Sequence, residues 1–212
     1  MLERDFPQWG VRVPAAALHR FWAVVAHYHG QTWNAAESAR TLGVSESTAR
    51  RHLDLLTDGL MIRQLLPLHA NLRKRQVKSP KVYVRDTGLL HQLLGVDSVK
   101  ALFTHPKIGA SWEGFVVEQV LGCEPQDEAF FWATHQGAEI DLVLRRGDEL
   151  VGIECKRTDT PSLTRSIGIA LEDLRLRRVA VLYPGVKRFP LSGNVEAVPS
   201  SVLAEAGSVF VG

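Results

Sequence analysis

Residues 139–156 read EIDLVLRRGDELVGIECK. Two apolar-rich runs, 138–144 and 149–156, flank Arg145-Arg146-Gly147-Asp148, which is the pattern of two strands joined by a turn. With Leu144 set opposite Glu149, Ile140 falls opposite Ile153 and Asp141 opposite Gly152. Side chains alternate along a strand. Asp141, Gly152, Glu154 and Lys156 are therefore expected on one face, and Ile140, Leu142, Ile153 and Cys155 on the other, in a core. Gly152, having no side chain, is expected to leave space beside Asp141. One face then gathers two carboxylates and an ammonium.

The flanks of this hairpin supply a frame for it. Upstream, 129–134 reads as a third strand and 111–121 as a helix with Trp112, Phe115, Val116 and Val120 on one face. On a wheel of about 100° per residue, Glu113 lies roughly 60° from the centre of that face and Glu118 roughly 160° away. A carboxylate bordering a core calls for a partner, which makes Glu113 a candidate to support the hairpin charges. Downstream, 162–174 reads as a helix with Leu163, Ile167, Ala170, Leu171 and Leu174 on one stripe. Residues 177–183 form a buried-type strand and 194–198 an edge strand. Helix, three strands, crossover helix and strand describe an α/β (α+β) layer with a mixed sheet.

The first half of the chain has a different grammar. Leu18, Phe21, Trp22 and Val25 recur at helical spacing within 15–29, and Gly30 stops that helix. A helix over 34–41, a tight turn at Gly43 and a helix over 46–57 capped by Ser45 follow. Gly59 ends the last of these. Strands are expected at 60–66 and 81–85, and Asp86 then caps a short helix whose Leu89, Leu90, Leu93 and Leu94 enter a core. Helix, helix, turn, helix and a two-stranded wing is the order of a winged helix-turn-helix. In the helix over 46–57, Ala49, Leu53 and Leu56 share one face. Ser47, Arg51 and Asp54 lie nearly opposite, with Arg50 at the edge and Leu55 off the stripe and exposed. Ser47, Arg50 and Arg51 are thus placed to meet nucleic acid. Between the two strands, Arg73, Lys74, Arg75, Lys78 and Lys81, followed by Arg85, form a basic run without an acid, suited to phosphates. His69, His91, His105 and His135 show no metal-ligand spacing and read as surface residues.

Two neighbouring carboxylates repel and need compensation. Lys156 supplies one positive charge and a divalent cation the rest. Oxygen ligands with open water positions suit Mg²⁺ or Mn²⁺, with Asp141 and Glu154 as the ligands. Asp141, twelve intervening residues and then Glu154-Cys155-Lys156 resemble the PD-(D/E)xK nuclease core over roughly residues 109–184, with Glu-Ile-Asp at 139–141 in place of Pro-Asp. The resemblance implies a catalytic set of Glu113, Asp141, Glu154 and Lys156. On a longer scale, LERD, KSPKVYVRDTGLLHQLLG, SWEGFVVEQV, GAEIDLVL and GIECK, in that order, resemble the C-terminal half of a family of uncharacterised prokaryotic AAA-type ATPases. There an N-terminal P-loop domain precedes a winged helix and a domain of unknown function. That implies an ATPase partner, in cis in a longer protein or in trans.

Length and composition bound the rest. A chain of 212 residues with 45% apolar and 23% charged residues and a net charge of +2 is globular rather than disordered. Two cysteines make neither a disulfide framework nor a four-cysteine zinc site, which fits a cytoplasmic protein. No apolar run is long enough to span a membrane, no signal peptide pattern opens the sequence, and no Gly-rich P-loop motif occurs. The expected organisation is a helical lead and winged helix over 1–95, a linker over 96–108 and a nuclease-like domain over 109–212. The expected function is Mg²⁺-dependent processing of nucleic acid, with DNA favoured. The alternative is a non-catalytic module that binds DNA or protein and regulates an ATPase.

Overall fold

The computed structural model describes residues 5–8, 13–69, 76–124, 128–205 and 209–210. The chain is a mixed α/β protein that divides into two compact units, Met1–Gln64 with Pro80–Ser111, and Leu65–Ser79 with Trp112–Gly212.

In the first unit, α1 (Asp5–Gln8) and α2 (Ala15–His27) precede the two-residue strand β1 (Gln31–Thr32). Helices α3 (Ala35–Leu42) and α4 (Glu46–Asp58) follow, joined through Gly43 at φ 67°, a left-handed conformation that glycine adopts without a Cβ penalty. Asn34 caps α3 by accepting from the amides of Ala36 and Glu37, and Ser45 caps α4 by accepting from that of Thr48. Strands β2 (Ile62–Leu65) and β3 (Lys81–Val84) join β1 in a three-stranded sheet of order β1-β3-β2. Strand β1 was not expected. It pairs Gln31 with Val82 and Thr32 with Lys81, and two exposed residues carry no alternation by which to see it. One core holds Leu18, Phe21, Trp22 and Val25 of α2, Ala49, Leu53 and Leu56 of α4, and Val82 and Val84 of β3. Leu55, expected in water, packs against this core.

Asp86 caps α5 (Thr87–Leu93), accepting from the Leu89 amide at 2.8 Å. Leu90 is buried but Leu89 is exposed, because a helix of two turns turns only one narrow face inward. The stretch expected as linker contains α6 (Val99–Thr104), capped by Ser98 and with no buried residue. His29 is fully buried. Its Nδ1 accepts from the Val84 amide at 3.0 Å, and its Nε2 donates to the Ala110 carbonyl at 3.1 Å. His91, expected at the surface, bonds the Ser111 hydroxyl through Nε2 at 2.8 Å. Burial first, then His105, lowers its pKa.

Helix α7 (Ile108–Cys123) leads into the second unit. Strands β4 (Glu128–Ala133), β5 (Glu139–Arg146), β6 (Glu149–Cys155), β7 (Arg178–Tyr183), β8 (Phe189–Ser192) and β9 (Val195–Pro199) form a mixed sheet of order β4-β5-β6-β7-β9-β8. The β6/β7 and β7/β9 pairs are parallel and the others antiparallel. Helix α8 (Arg165–Leu174) makes the crossover from β6 to β7, and α9 (Val202–Glu205) follows β9. Ile167, Ala170 and Leu174 of α8 pack on Ile140, Val143, Val179 and Val181 of the sheet. On α7, Val116, Val117 and Val120 are buried, while Phe115, expected in the core, is 41% exposed.

The segment between β2 and β3 differs most from expectation. It belongs largely to the second unit, where it borders β4. Leu68 donates to the Phe131 carbonyl at 2.7 Å, Phe131 donates to Leu66 at 3.0 Å, and Val77 donates to Ala133 at 3.1 Å. Leu68 joins the core beneath α8. These bonds satisfy backbone groups that the edge strand β4 would otherwise leave open.

Candidate metal and nucleic-acid sites

The hairpin β5–β6 turns through two residues rather than four. Arg146 pairs with Glu149 across Gly147 and Asp148. Gly147 has φ +61° and Asp148 does not share the positive sign, the φ pattern of a type II′ turn. Leu144 therefore faces Val151, and Val143 faces Gly152. The shift from the expected register is two residues, so the turn itself exchanges no faces.

An irregularity on the other side of β5 does change the pattern. Phe130 pairs with Val143 but Trp132 with Ile140, so Asp141 and Leu142 together oppose Phe131. This is the two-against-one count of a β-bulge. Ile140 and Val143, three residues apart, consequently both reach the core under α8, which strict alternation forbids. The ladder with β6 ends at Leu142 and Ile153. Beyond it the Asp141 carboxylate takes over the acceptor role of the strand, with Oδ2 2.9 Å from the Cys155 amide.

Gly152 does not open a space beside Asp141. A Cβ there would lie 2.9 Å from Leu176 Cδ1 and 3.1 Å from Val179 Cγ2. The missing side chain is filled by the core.

Asp141 is 8% exposed and Glu154 5%. Lys156 donates to Glu154 Oε1 at 2.6 Å, while Glu154 Oε2 is buried without a hydrogen-bond partner. Burial, and then the Asp141 charge, raises the Glu154 pKa to about 7 against the opposing pull of Lys156, and Glu139 adds a smaller push upward. Burial pulls the Lys156 ammonium down, but Glu154 and Asp141 outweigh it and hold its pKa above the ordinary lysine range. Asp141, Glu154 and Lys156 are thus brought together at one end of the hairpin. Glu113 is half-buried on α7. Glu139, two residues before Asp141, adds its charge to those acting on Glu154; two-residue spacing on a strand was the signal that could have found it. No group of three or more His, Cys, Asp and Glu side chains suited to a metal ion occurs among the described residues.

Ser47, Arg50 and Arg51 are exposed on α4. The Ser47 hydroxyl lies 2.9 Å from that of Ser45, and Arg50 makes only a loose 4.0 Å pair with Glu46. Asp54 accepts from Gln64 at 3.2 Å. His52 is buried between these positions, edge-on to Phe21 at 5.5 Å, and burial, then Arg51, lowers its pKa. Lys78 is exposed. Lys81 is a correction to the nucleic-acid set: it is 4% exposed, because it opens β3, the central strand of its sheet. Arg73, Lys74 and Arg75 lie outside the described residues.

Comparison with known proteins adds the following. Residues 108–203, the stretch holding the hairpin charges, match the model of a domain of unknown function, DUF4143. The DUF4143 match begins with α7. Residues 1–100 match a second domain of unknown function, DUF8612. Uncharacterized proteins of Mycobacterium bovis and Mycobacterium tuberculosis are each 54% identical over 208 residues, covering 98% of this chain and 47% of the relative. The chain spans about half the length of these curated relatives. No solved structure matches. No helix among the described residues is long and apolar enough to cross a membrane.

Proposed function

We propose that the chain is a nucleic-acid-processing module in which a winged helix guides a PD-(D/E)xK-like nuclease core, with DNA as the favoured substrate and an ATPase domain as partner in cis or in trans. The observation that carries this reading is the buried pair Asp141 and Glu154 beside Lys156, with one Glu154 oxygen lacking a hydrogen-bond partner. A buried carboxylate without a full set of partners is costly, and a cation relieves that cost. Two carboxylates and water fit Mg²⁺ or Mn²⁺, which are commonly held by one or two carboxylates together with substrate phosphate. Asp141 and Glu154 would hold the ion and Glu113 would support the site. Bound there, the ion lowers the pKa of water and neutralises phosphodiester charge.

Lys156 then acts beside the ligands. With an ion held there, its ammonium would steady the attacking hydroxide or the charge on the phosphorus. Asp141 would be kept in place by the bond it accepts from the Cys155 amide. Ser47, Arg50, Arg51, Arg73, Lys74, Arg75 and Lys78 are the proposed contacts to the nucleic-acid backbone.

A second reading, a non-catalytic binding or regulatory module, is favoured by one feature. Asp141 and Lys156 already have partners within the hairpin, so most of the cluster is satisfied without an ion. Incubation of purified chain with DNA in Mg²⁺, Mn²⁺ or EDTA separates the two. The nuclease reading expects cutting in the metals, none in EDTA, and none with Asp141→Asn. Absence of cutting in every condition supports the binding module.

A further inference from the structure

Far along the sheet from Asp141, four arginines cluster where β7 begins and the chain returns at Val209 and Phe210. Three of them have carboxylate partners. Arg146 pairs with Glu124 at 2.9 Å, Arg188 with Glu196 at 2.8 Å, and Arg177 with Glu149 through a close contact. Arg178 pairs with no carboxylate among the described residues. It donates one bond, from Nη2 to the Phe210 carbonyl at 3.1 Å, and its guanidinium stacks 4.6 Å from the Phe210 ring. Its Nε is buried and has no acceptor.

Arg177, Arg178 and Arg188 line a cleft of about 350 Å³ within the second unit. Its charged lining is Arg177, Arg178, Arg188 and Glu196, with Glu149 pairing Arg177 from beside the cleft. A guanidinium stacked on a ring is held in one plane, and its remaining Nη N–H donors suit a phosphate oxygen. With Arg177 paired to Glu149 and Arg188 to Glu196, Arg178 leaves one uncompensated positive charge in the cleft, which favours an anion such as a phosphate monoester, itself carrying about −1.5 to −2 near neutral pH.

We propose that this cleft binds a phosphate monoester or inorganic phosphate, with Arg178 as the principal donor and Arg177 and Arg188 flanking it. The site is separate from the hairpin carboxylates. Arg178 lies level with Val151 and Leu182 with Cys155, so four residues, about 13 Å of strand, lie between the two levels. It is independent of the nuclease reading.

The test is calorimetric titration of the whole chain with sodium phosphate in EDTA, at fixed ionic strength, with acetate and chloride alongside. Saturable binding of phosphate, with acetate and chloride much weaker, is the expected result. Arg178→Gln lowers the affinity by at least about tenfold. Ser192→Glu, at an exposed position on the cleft wall, lowers it similarly without touching an arginine, so the test survives if Arg178→Gln fails to fold. No saturable heat, acetate binding as tightly as phosphate, or an affinity unchanged in Ser192→Glu would each overturn the proposal.

Discussion

The outer surface of α4 and the end of the β5–β6 hairpin carry charged groups of similar kinds and treat them in opposite ways. Arg50 and Glu46 sit 62% and 57% exposed with 4.0 Å between their charged atoms. The side chains of Glu154 and Lys156 are 7% and 35% exposed and touch at 2.6 Å. Water satisfies the first pair whatever its geometry, so that pair is compatible with any role or none. The second pair is held against a desolvation cost that shows as a Glu154 pKa near 7. Charge kept at a cost is the stronger pointer to chemistry. This contrast is why the functional proposal rests on the hairpin and not on the arginines of α4.

The largest expected effect breaks the contrast at Lys156. Lys156→Ala is expected to slow metal-dependent cleavage by about 10²-fold or more, while divalent-ion affinity does not fall, since lysine is no ligand and its ammonium occupies Glu154 Oε1. A parallel fall in both, read by single-turnover rates and calorimetry, would show that Lys156 acts only by holding Glu154.

Next in size is the basic run. Replacing Arg73, Lys74 and Arg75 with Ala is expected to flatten the slope of log affinity for DNA against log salt by about two to three units, because each phosphate contact releases counterions. An unchanged slope places those residues off the nucleic acid.

Gly152→Ala probes the packing beneath the buried pair. Its Cβ meets Leu176 and Val179, and overpacking of this kind costs about 1–3 kcal/mol. Urea unfolding reads it, and a variant as stable as the parent means that Leu176 swings aside freely. The smallest effect is at the surface. Arg50→Ala is expected to change stability by less than about 0.5 kcal/mol, and a larger loss in thermal unfolding would mean that α4 depends on this pair.

What the sequence disclosed divides along the same physical line. The caps Ser45 and Asp86, the turn at Gly43, the stripes of α2 and α4, and that of α8 apart from Leu163, which lies before the helix and is exposed, depend on neighbours a few residues away, so they were legible. The faces of Glu154 and Lys156 follow from alternation within one strand. Three features depend on distant partners and were not visible. Strand β1 exists through pairing with Val82 and Lys81. The bulge at Asp141 and Leu142 is set by the pairing of β5 with β4. The segment between the two expected wing strands, read only for its basic run, is bonded along β4 through Phe131 and Ala133. Helix α6 escaped notice for another reason: with no buried residue, it leaves no apolar stripe to read.

The central claim, that Asp141 and Glu154 form a divalent-ion site, meets its most direct test in a crystal soaked in Mn²⁺. The account predicts anomalous density with both carboxylates about 2.1–2.2 Å from one ion and Lys156 turned away from Glu154 Oε1. Density elsewhere only, with Lys156 still bonded to Glu154, would contradict it.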